Sequence, residues 1–180
     1  MNTYNDTGDF LPSYFFPLLF FMLGILAISL LISTYFNIRD NKRAYEEELE
    51  RDFDLQEIDQ MDGWEFETCF AIMLRQLGYL DADITKGSGD QGIDVLATIN
   101  DKLVGFQCKR YSKPVGNKAV QEAHAGKSYY GLDKVYVATN SYFTKSAIEL
   151  AEVTSVTLVD RDELHEMLKN SKTYPKIKGK

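Results

Sequence analysis

The 180-residue sequence predicts an α/β domain with a central mixed sheet, set behind one apolar helix of membrane-spanning length. Three patterns predict it. An uncharged run of 29 residues, from Phe10 to Ile38, occupies the front of the chain. Beyond it, the order reads helix, three strands, helix, strand, helix, strand, helix. Two strand-like runs flank Asn100-Asp101, a dipeptide suited to a two-residue hairpin turn.

Residues 1–16 form an N-terminal tail. Pro17 to Phe36 is 20 residues, which at ~1.5 Å per residue covers the ~30 Å of a bilayer's hydrocarbon core. Pro17 suits the first position of that helix. Asp6 and Asp9 precede the span, and Arg39, Lys42 and Arg43 follow it. The positive-inside rule then places the N-terminus outside an inner membrane and the rest of the chain in the cytoplasm. A cleaved signal peptide would need a basic start and a small-residue cleavage site, and the sequence offers neither.

Residues 37–60 read as a charged helical linker. Residues 39–60 hold 4 basic and 9 acidic side chains, whereas 61–180 hold 16 of each. The chain's net charge of −7 therefore belongs to its front. A hydrophobic content of 44% excludes a wholly disordered or fibrous chain. Cys69 and Cys108 lie in no CxxC or Cys/His cluster, so no disulfide framework or structural zinc is implied.

The domain spans 61–168. Asp62 and Glu65 have capping-box spacing, and Phe66, Phe70, Met73, Leu74 and Leu77 recur at helical intervals up to Gly78. Trp64 and the Phe and Tyr residues are expected in the core. Ile84-Thr85 is a short strand, 86–92 a glycine-rich loop, and 93–99 and 102–110 a hairpin. Asn117 is expected to cap a helix running to about Tyr130. Val135 to Thr139 is a strand, and Thr144 caps a helix to about Val153. Ser155 to Val159 is a strand, and Asp160 with Glu163 opens the last helix as a second capping box. Residues 169–180 are a basic tail.

Chemistry concentrates on the hairpin. With Asn100-Asp101 as the turn, Ile99 pairs with Lys102 and Asp94 faces Gln107. Side chains alternate, so Asp94, Gln107 and Lys109 share one face. A carboxylate, an amide oxygen and an ammonium there suit phosphodiester hydrolysis. The carboxylate holds a divalent metal, and the lysine offsets charge developing on the phosphate. A plain cross-strand ion pair between Asp94 and Lys109 is the alternative. Glu67, at the margin of the first helix's apolar stripe, needs a partner, and a metal shared with Asp94 would serve.

At these residues the chain resembles the catalytic domain of Mrr-type (type IV) restriction endonucleases, within the PD-(D/E)xK nuclease superfamily. The carrying segments are Gly63-Trp64-Glu65-Phe66-Glu67, Leu77-Gly78-Tyr79, Gly89-Asp90-Gln91-Gly92-Ile93-Asp94-Val95 and Phe106-Gln107-Cys108-Lys109-Arg110-Tyr111. The resemblance covers about residues 61–168. It implies an αβββαβ core and DNA cleavage dependent on Mg²⁺, with Mn²⁺ as a substitute. Asp94, Gln107 and Lys109 match the catalytic set, with Glu67 as the acidic residue of the first helix. Asp94, Glu67 and Gln107 are the implied metal ligands. Two departures stand out. Gln107 occupies a position that is Glu in most of the superfamily, and an apolar helix stands where Mrr enzymes carry a DNA-recognition domain.

Lys102 to Lys134 contains 7 basic residues against Glu122 and Asp133, with Tyr111, Tyr129 and Tyr130 interleaved. Arg110, Lys113, Lys118 and Lys127 are the candidate DNA contacts, the alternative being a solvated helix face. Gln121 and Glu122 are either near the metal or plain surface. His124 reads as a helix histidine without a catalytic partner. No P-loop, GxSxG or dinucleotide fingerprint occurs, and no small-molecule cofactor is expected. The expected protein is a membrane-anchored deoxyribonuclease acting in restriction of foreign or modified DNA. Opposed cuts in a duplex would favour a homodimer. The rival readings are a non-catalytic DNA-binding tether, and a nuclease acting on RNA or junctions.

Overall fold

The structure, a computed structural model, describes residues 15–85 and 91–173. Asp6, Asp9, Pro12, most of the glycine loop (86–90) and the end of the basic tail (174–180) lie outside the described residues. The chain divides into two units, Met1–Glu47 and Glu48–Lys180.

In the first unit the described residues form the helix α1 (Phe15–Glu50), whose last three residues, 48–50, fall in the second unit. Its segment Phe16–Ala44, 29 residues, is long and apolar enough to cross a membrane by length and composition. Pro17 is the third residue of α1 rather than the first. It still lies in the opening turn, where a missing N–H breaks no intrahelical bond. The charged residues after Ile38 continue α1 to Glu50. Their strong helix propensities favour that continuation.

The second unit begins its core ahead of the predicted first helix. Asp54 caps α2 (Leu55–Ile58) by accepting from Glu57 N at 2.8 Å, and Phe53, Ile58 and Met61 are buried. In α3 (Gly63–Gln76), Asp62 and Glu65 exchange two hydrogen bonds of 2.8 Å, the expected capping box. The stripe Phe66, Phe70, Met73 and Leu74 is buried. Gly78, at φ 87°, turns the chain out of the helix into β1 (Leu80–Ile84). Trp64 is 66% exposed, against expectation. It precedes Phe66 by two residues, roughly 200° around the helix, and so stands on the opposite side.

β2 (Val95–Ile99) and β3 (Lys102–Lys109) form the predicted hairpin. Asn100 and Asp101 both have positive φ, 50° and 59°, and Ile99 pairs with Lys102. β3 pairs in parallel with β4 (Lys134–Thr139), and β4 with β5 (Val156–Val159). The strand order is β1-β2-β3-β4-β5, so the sheet is mixed and β3 is central. α3 and α6 (Arg161–Thr173) cover one face, over Val95, Val104, Phe106 and Cys108. α4 (Asn117–Tyr130) and α5 (Lys145–Thr154) cover the other, over Ile93, Val135 and Val137. Phe106 anchors the first core, stacked on Tyr136 at 4.7 Å and tilted against Phe70 at 5.3 Å. Truncating such a side chain to Ala typically costs about 3–5 kcal/mol.

Thr144 caps α5, and Asp160 and Glu163 form the second reciprocal cap. Asn117 does not cap α4. Gly116 takes that position without a side-chain bond, and Asn117 is the first helical residue.

Candidate active site

The segment that delivers Asp94 is fixed by close contacts on two sides. Gly92 has φ +80°, and a Cβ on it would lie 2.5 Å from the carbonyl oxygen of Glu122 on α4. A Cβ on Gly126, one turn further along α4, would lie 2.5 Å from Ile93 Cγ1 and 2.8 Å from Gln91 O. Residues 91–93 therefore cross directly over the α4 backbone, which only glycine at both positions allows. Thr85, just past β1, fastens the same segment from the far side. Its N–H donates to Asp94 O at 2.9 Å and its hydroxyl to Ile93 O at 2.6 Å.

The Asp94 side chain is buried, at 6% exposure. Its Oδ2 accepts from the Cys108 N–H at 2.7 Å and from Gln107 Nε2. A carboxylate can only accept, so the Gln107 amide must turn its NH₂ toward Asp94 and its oxygen away. That oxygen, Gln107 Oε1, is buried and has no hydrogen-bond partner among the described residues. Leaving such a group unmet costs about 1–3 kcal/mol. Glu67 is half-buried on α3. Burial pushes the Cys108 thiol well above its ordinary range, and the charges of Asp94 and then Glu67 push it further, while Lys109 opposes them.

Lys109 leaves the hairpin on the Gln107 side, toward α4. Its partner is Glu122 rather than Asp94: Nζ stands 3.3 Å from Glu122 Oε2. Lys118, in the first turn of α4, approaches the other oxygen of that carboxylate at 3.7 Å. The backbone under Lys109 is pinned by Thr139, fully buried on β4, whose hydroxyl donates to Lys109 O at 2.6 Å. A small cleft of about 90 Å³ opens beside the ammonium, lined by Lys109, Tyr111, Gly116, Lys118 and Glu122 among others.

The four basic residues expected at DNA divide. Lys113 is exposed in the segment before α4, and Lys118 is exposed on its first turn. Lys127 is partly buried in the last turn of α4, about 13 Å along the helix from Lys118. Arg110 turns inward. Its Nη1 donates to Asp59 O at 3.3 Å, and its buried Nε has no partner among the described residues. It borders a polar cluster that local sequence pattern does not mark. Arg161 makes a two-pronged pair with Asp59, each contact 2.8 Å. Asn140 donates to Asp59 at 2.9 Å and accepts from Tyr111 N at 2.8 Å. The Arg161 guanidinium holds the Asp59 carboxyl below its ordinary range. This cluster ties α2 and α6 to the ends of β3 and β4. His124 is exposed on α4.

Residues 58–168 match the family model described as restriction endonuclease, the Mrr catalytic domain. The chain belongs to that family, and these residues are a restriction-endonuclease nuclease domain. Among solved structures, the chain is similar to the protein of unknown function AF1548, at 22% identity and a TM-score of 0.50, over 62% of this chain and 67% of that one. It is also similar to the DNA modification-dependent restriction endonuclease AspBHI, at 20% identity and a TM-score of 0.49, over 72% of this chain and 35% of that one. A third is protein VC1899 from Vibrio cholerae, at 17% identity and a TM-score of 0.47, over 61% of this chain and 33% of that one. The chain thus spans about a third of the length of the last two. No curated protein matches.

The PD-(D/E)xK fold is associated with divalent metals, and the residues present fit one. Among the described residues, no group of three His, Cys, Asp or Glu side chains gathers. The candidate donors that the structure joins are the Asp94 carboxylate and the Gln107 amide. Gln107 Oε1, turned away from Asp94, buried and unmet among the described residues, is an oxygen that a hard cation would satisfy.

Proposed function

We propose that the chain is a membrane-anchored, metal-dependent deoxyribonuclease acting in restriction of foreign or modified DNA. The observation that carries the catalytic part is Gln107, whose amide N–H donates to the Asp94 carboxylate while its buried Oε1 is unmet among the described residues, with Lys109 two residues along the same strand. Asp94, Gln107 and Glu67 would hold the cation, for which Mg²⁺ is the natural choice and Mn²⁺ a substitute. A divalent cation supplies charge against the phosphate oxygens and activates a water.

The remaining work falls to the chain's own side chains. The Cys108 N–H and the Gln107 amide fix one oxygen of Asp94 and so orient the carboxylate. Gln107 brings no charge, so attraction for the cation rests on Asp94 and Glu67. Lys109 places its ammonium where negative charge grows as the phosphodiester becomes five-coordinate, a contact strongest in the transition state. Lys118, exposed at the cleft, and Lys113, exposed in the segment before α4, would track the DNA backbone without reading sequence.

The anchor rests on α1. Phe16–Ala44 has the length and composition to cross a bilayer, and Arg39, Lys42 and Arg43 follow the apolar run. That charge bias favours an outer N-terminus and a cytoplasmic nuclease domain in the inner membrane. Cleavage of both strands would call for two copies. The rival reading is a tether that binds DNA without cutting it.

The test is incubation of the purified chain, in detergent, with methylated, unmethylated and branched DNA, in Mg²⁺ or in EDTA. Cleavage of any substrate that EDTA abolishes supports the nuclease. Binding without cleavage of any substrate supports the tether.

A further inference from the structure

Lys109 has two carboxylates within reach, and the structure pairs it with only one of them. The Gln107 side chain donates to Asp94, and Lys109 is two residues further on the same face of β3. Residues two apart on a strand stand roughly 6–7 Å apart, within the span of a lysine side chain. A direct Lys109–Asp94 pair would put an ammonium at the carboxylate that has to receive a cation. In the structure the ammonium lies instead at Glu122, 3.3 Å away, drawn to the α4 side of the hairpin.

Glu122 is unusually well placed for this. Its backbone is the surface against which Gly92 is pressed, so close that a Cβ at position 92 would stand 2.5 Å from Glu122 O. One residue of α4 thus sets both ends of the geometry. Its peptide backbone fixes the segment leading to Asp94, and its carboxylate fixes the ammonium of Lys109. Lys118 lies 3.7 Å from its second oxygen and keeps the carboxylate from being a bare negative charge beside the cleft.

We infer that Glu122 is a positioning residue that holds Lys109 away from Asp94, so that the ammonium does not compete with a cation there and stays aimed at the phosphate. The inference rests on the metal-dependent reading above and adds to it a residue that acts through Lys109, not on the substrate. Released from Glu122, Lys109 competes with the cation for Asp94. Loss of Glu122 should therefore weaken cation binding only while Lys109 is present.

The experiment is a double-mutant cycle on the full chain in detergent, read by Mn²⁺ binding in electron paramagnetic resonance, with no turnover involved. The variants are Glu122→Gln, Lys109→Met and the double variant, with Glu122→Asp as the conservative control. Glu122→Gln should weaken Mn²⁺ binding by about two- to fivefold, the scale of a partly exposed ion pair. The same change in the Lys109→Met background should leave Mn²⁺ binding as it is in Lys109→Met alone. Glu122→Asp should recover part of the loss. An equal loss in both backgrounds overturns the inference, because Glu122 would then act on the cation directly or through its charge alone. No loss in either background overturns it as well. A wild-type chain that binds no Mn²⁺ overturns the metal-dependent reading itself, and the positioning role with it.

Discussion

Gly92 lies so close to Glu122 that any side chain at position 92 would run into the α4 backbone, at 2.5 Å from the carbonyl oxygen. The contact couples the segment before β2 to the helix opposite, and it is backbone on both sides. Neither partner can give way by a rotamer change. Gly92→Ala must also hold φ near +80°, which L-residues resist. The expected cost is roughly 2–4 kcal/mol, combining overpacking with backbone strain. Urea denaturation followed by circular dichroism would measure it. A loss below about 0.5 kcal/mol, the usual size of an innocuous surface change, would contradict the close approach.

The Asp59–Arg161 pair should make stability depend on acid pH. Arg161 lowers the Asp59 pKa in the folded state, so the native state binds fewer protons there than the unfolded chain. The contribution is present above the unfolded value of about 3.9 and fades as pH falls through the lower folded value. Asp59→Asn should therefore be less stable than wild type at pH 7, by about 1 kcal/mol for a two-pronged, partly exposed pair. The difference should shrink below about pH 4. Thermal melts of both proteins from pH 3 to 7 would show it. A gap that stays constant through that range would mean the pair is not what the substitution removes.

Legibility in the sequence differs from element to element. The hairpin register is legible from Ile99–Lys102 out to Val95–Phe106, because Asn100-Asp101 is a local signal and side-chain alternation carries it outward; at Asp94 the regular register ends, and its N–H donates to Phe106 O. The caps at Asp62, Thr144 and Asp160 are legible for the same reason, since each is written within four residues. Trp64 is expected in the core only if aromatic content is weighed without its angle on α3, opposite Phe66. Asn117 resembles a cap, but Gly116 before it offers the same break in the chain. The Lys109–Glu122 pair is not legible, because it depends on which face of α4 meets β3. Asp59 and Arg161 lie 102 residues apart, and no periodicity links them. The Gly92–Gly126 crossing is half visible: the glycines of the loop suggest close approach, but nothing local names α4 as the surface approached.

Gln107→Glu should change the site in opposite directions with and without metal. Glutamine donates to Asp94, whereas an ionised glutamate would put a second carboxylate against it with no proton to share. In EDTA the variant should melt several degrees below wild type, the shift of about 1–2 kcal/mol. In millimolar Mg²⁺ it should recover, because the added charge strengthens cation binding. Melting curves in EDTA and across a Mg²⁺ series would test this. A variant insensitive to Mg²⁺ would argue that residue 107 does not face a cation.

Arg110 and the exposed lysines should separate when tested for DNA binding. Lys113→Gln and Lys118→Gln should each lower the slope of log K against log salt by up to about 0.9, if each meets a phosphate. Arg110→Gln should leave that slope unchanged and lower stability instead, since its guanidinium faces Asp59 and is partly buried. Fluorescence anisotropy across a salt series, with parallel melts, reads both quantities. A slope that falls in Arg110→Gln would place the arginine at DNA after all.

The central claim is that Asp94 and Lys109 do different chemical work at one metal-dependent site. Single-turnover nicking of a supercoiled plasmid by the full chain, titrated with Mg²⁺, tests it most directly. Wild type should nick, and EDTA should stop it. Asp94→Asn should need far more Mg²⁺ and remain slow at saturation. Lys109→Ala should lose about 10²–10³-fold in rate, as when one charge-stabilising donor is removed, while its Mg²⁺ requirement does not rise. Plasmid binding in Ca²⁺ should survive both changes. A wild-type chain that binds plasmid yet shows no metal-dependent nicking, with both variants indistinguishable from it, would contradict the account and leave a DNA-binding tether in its place.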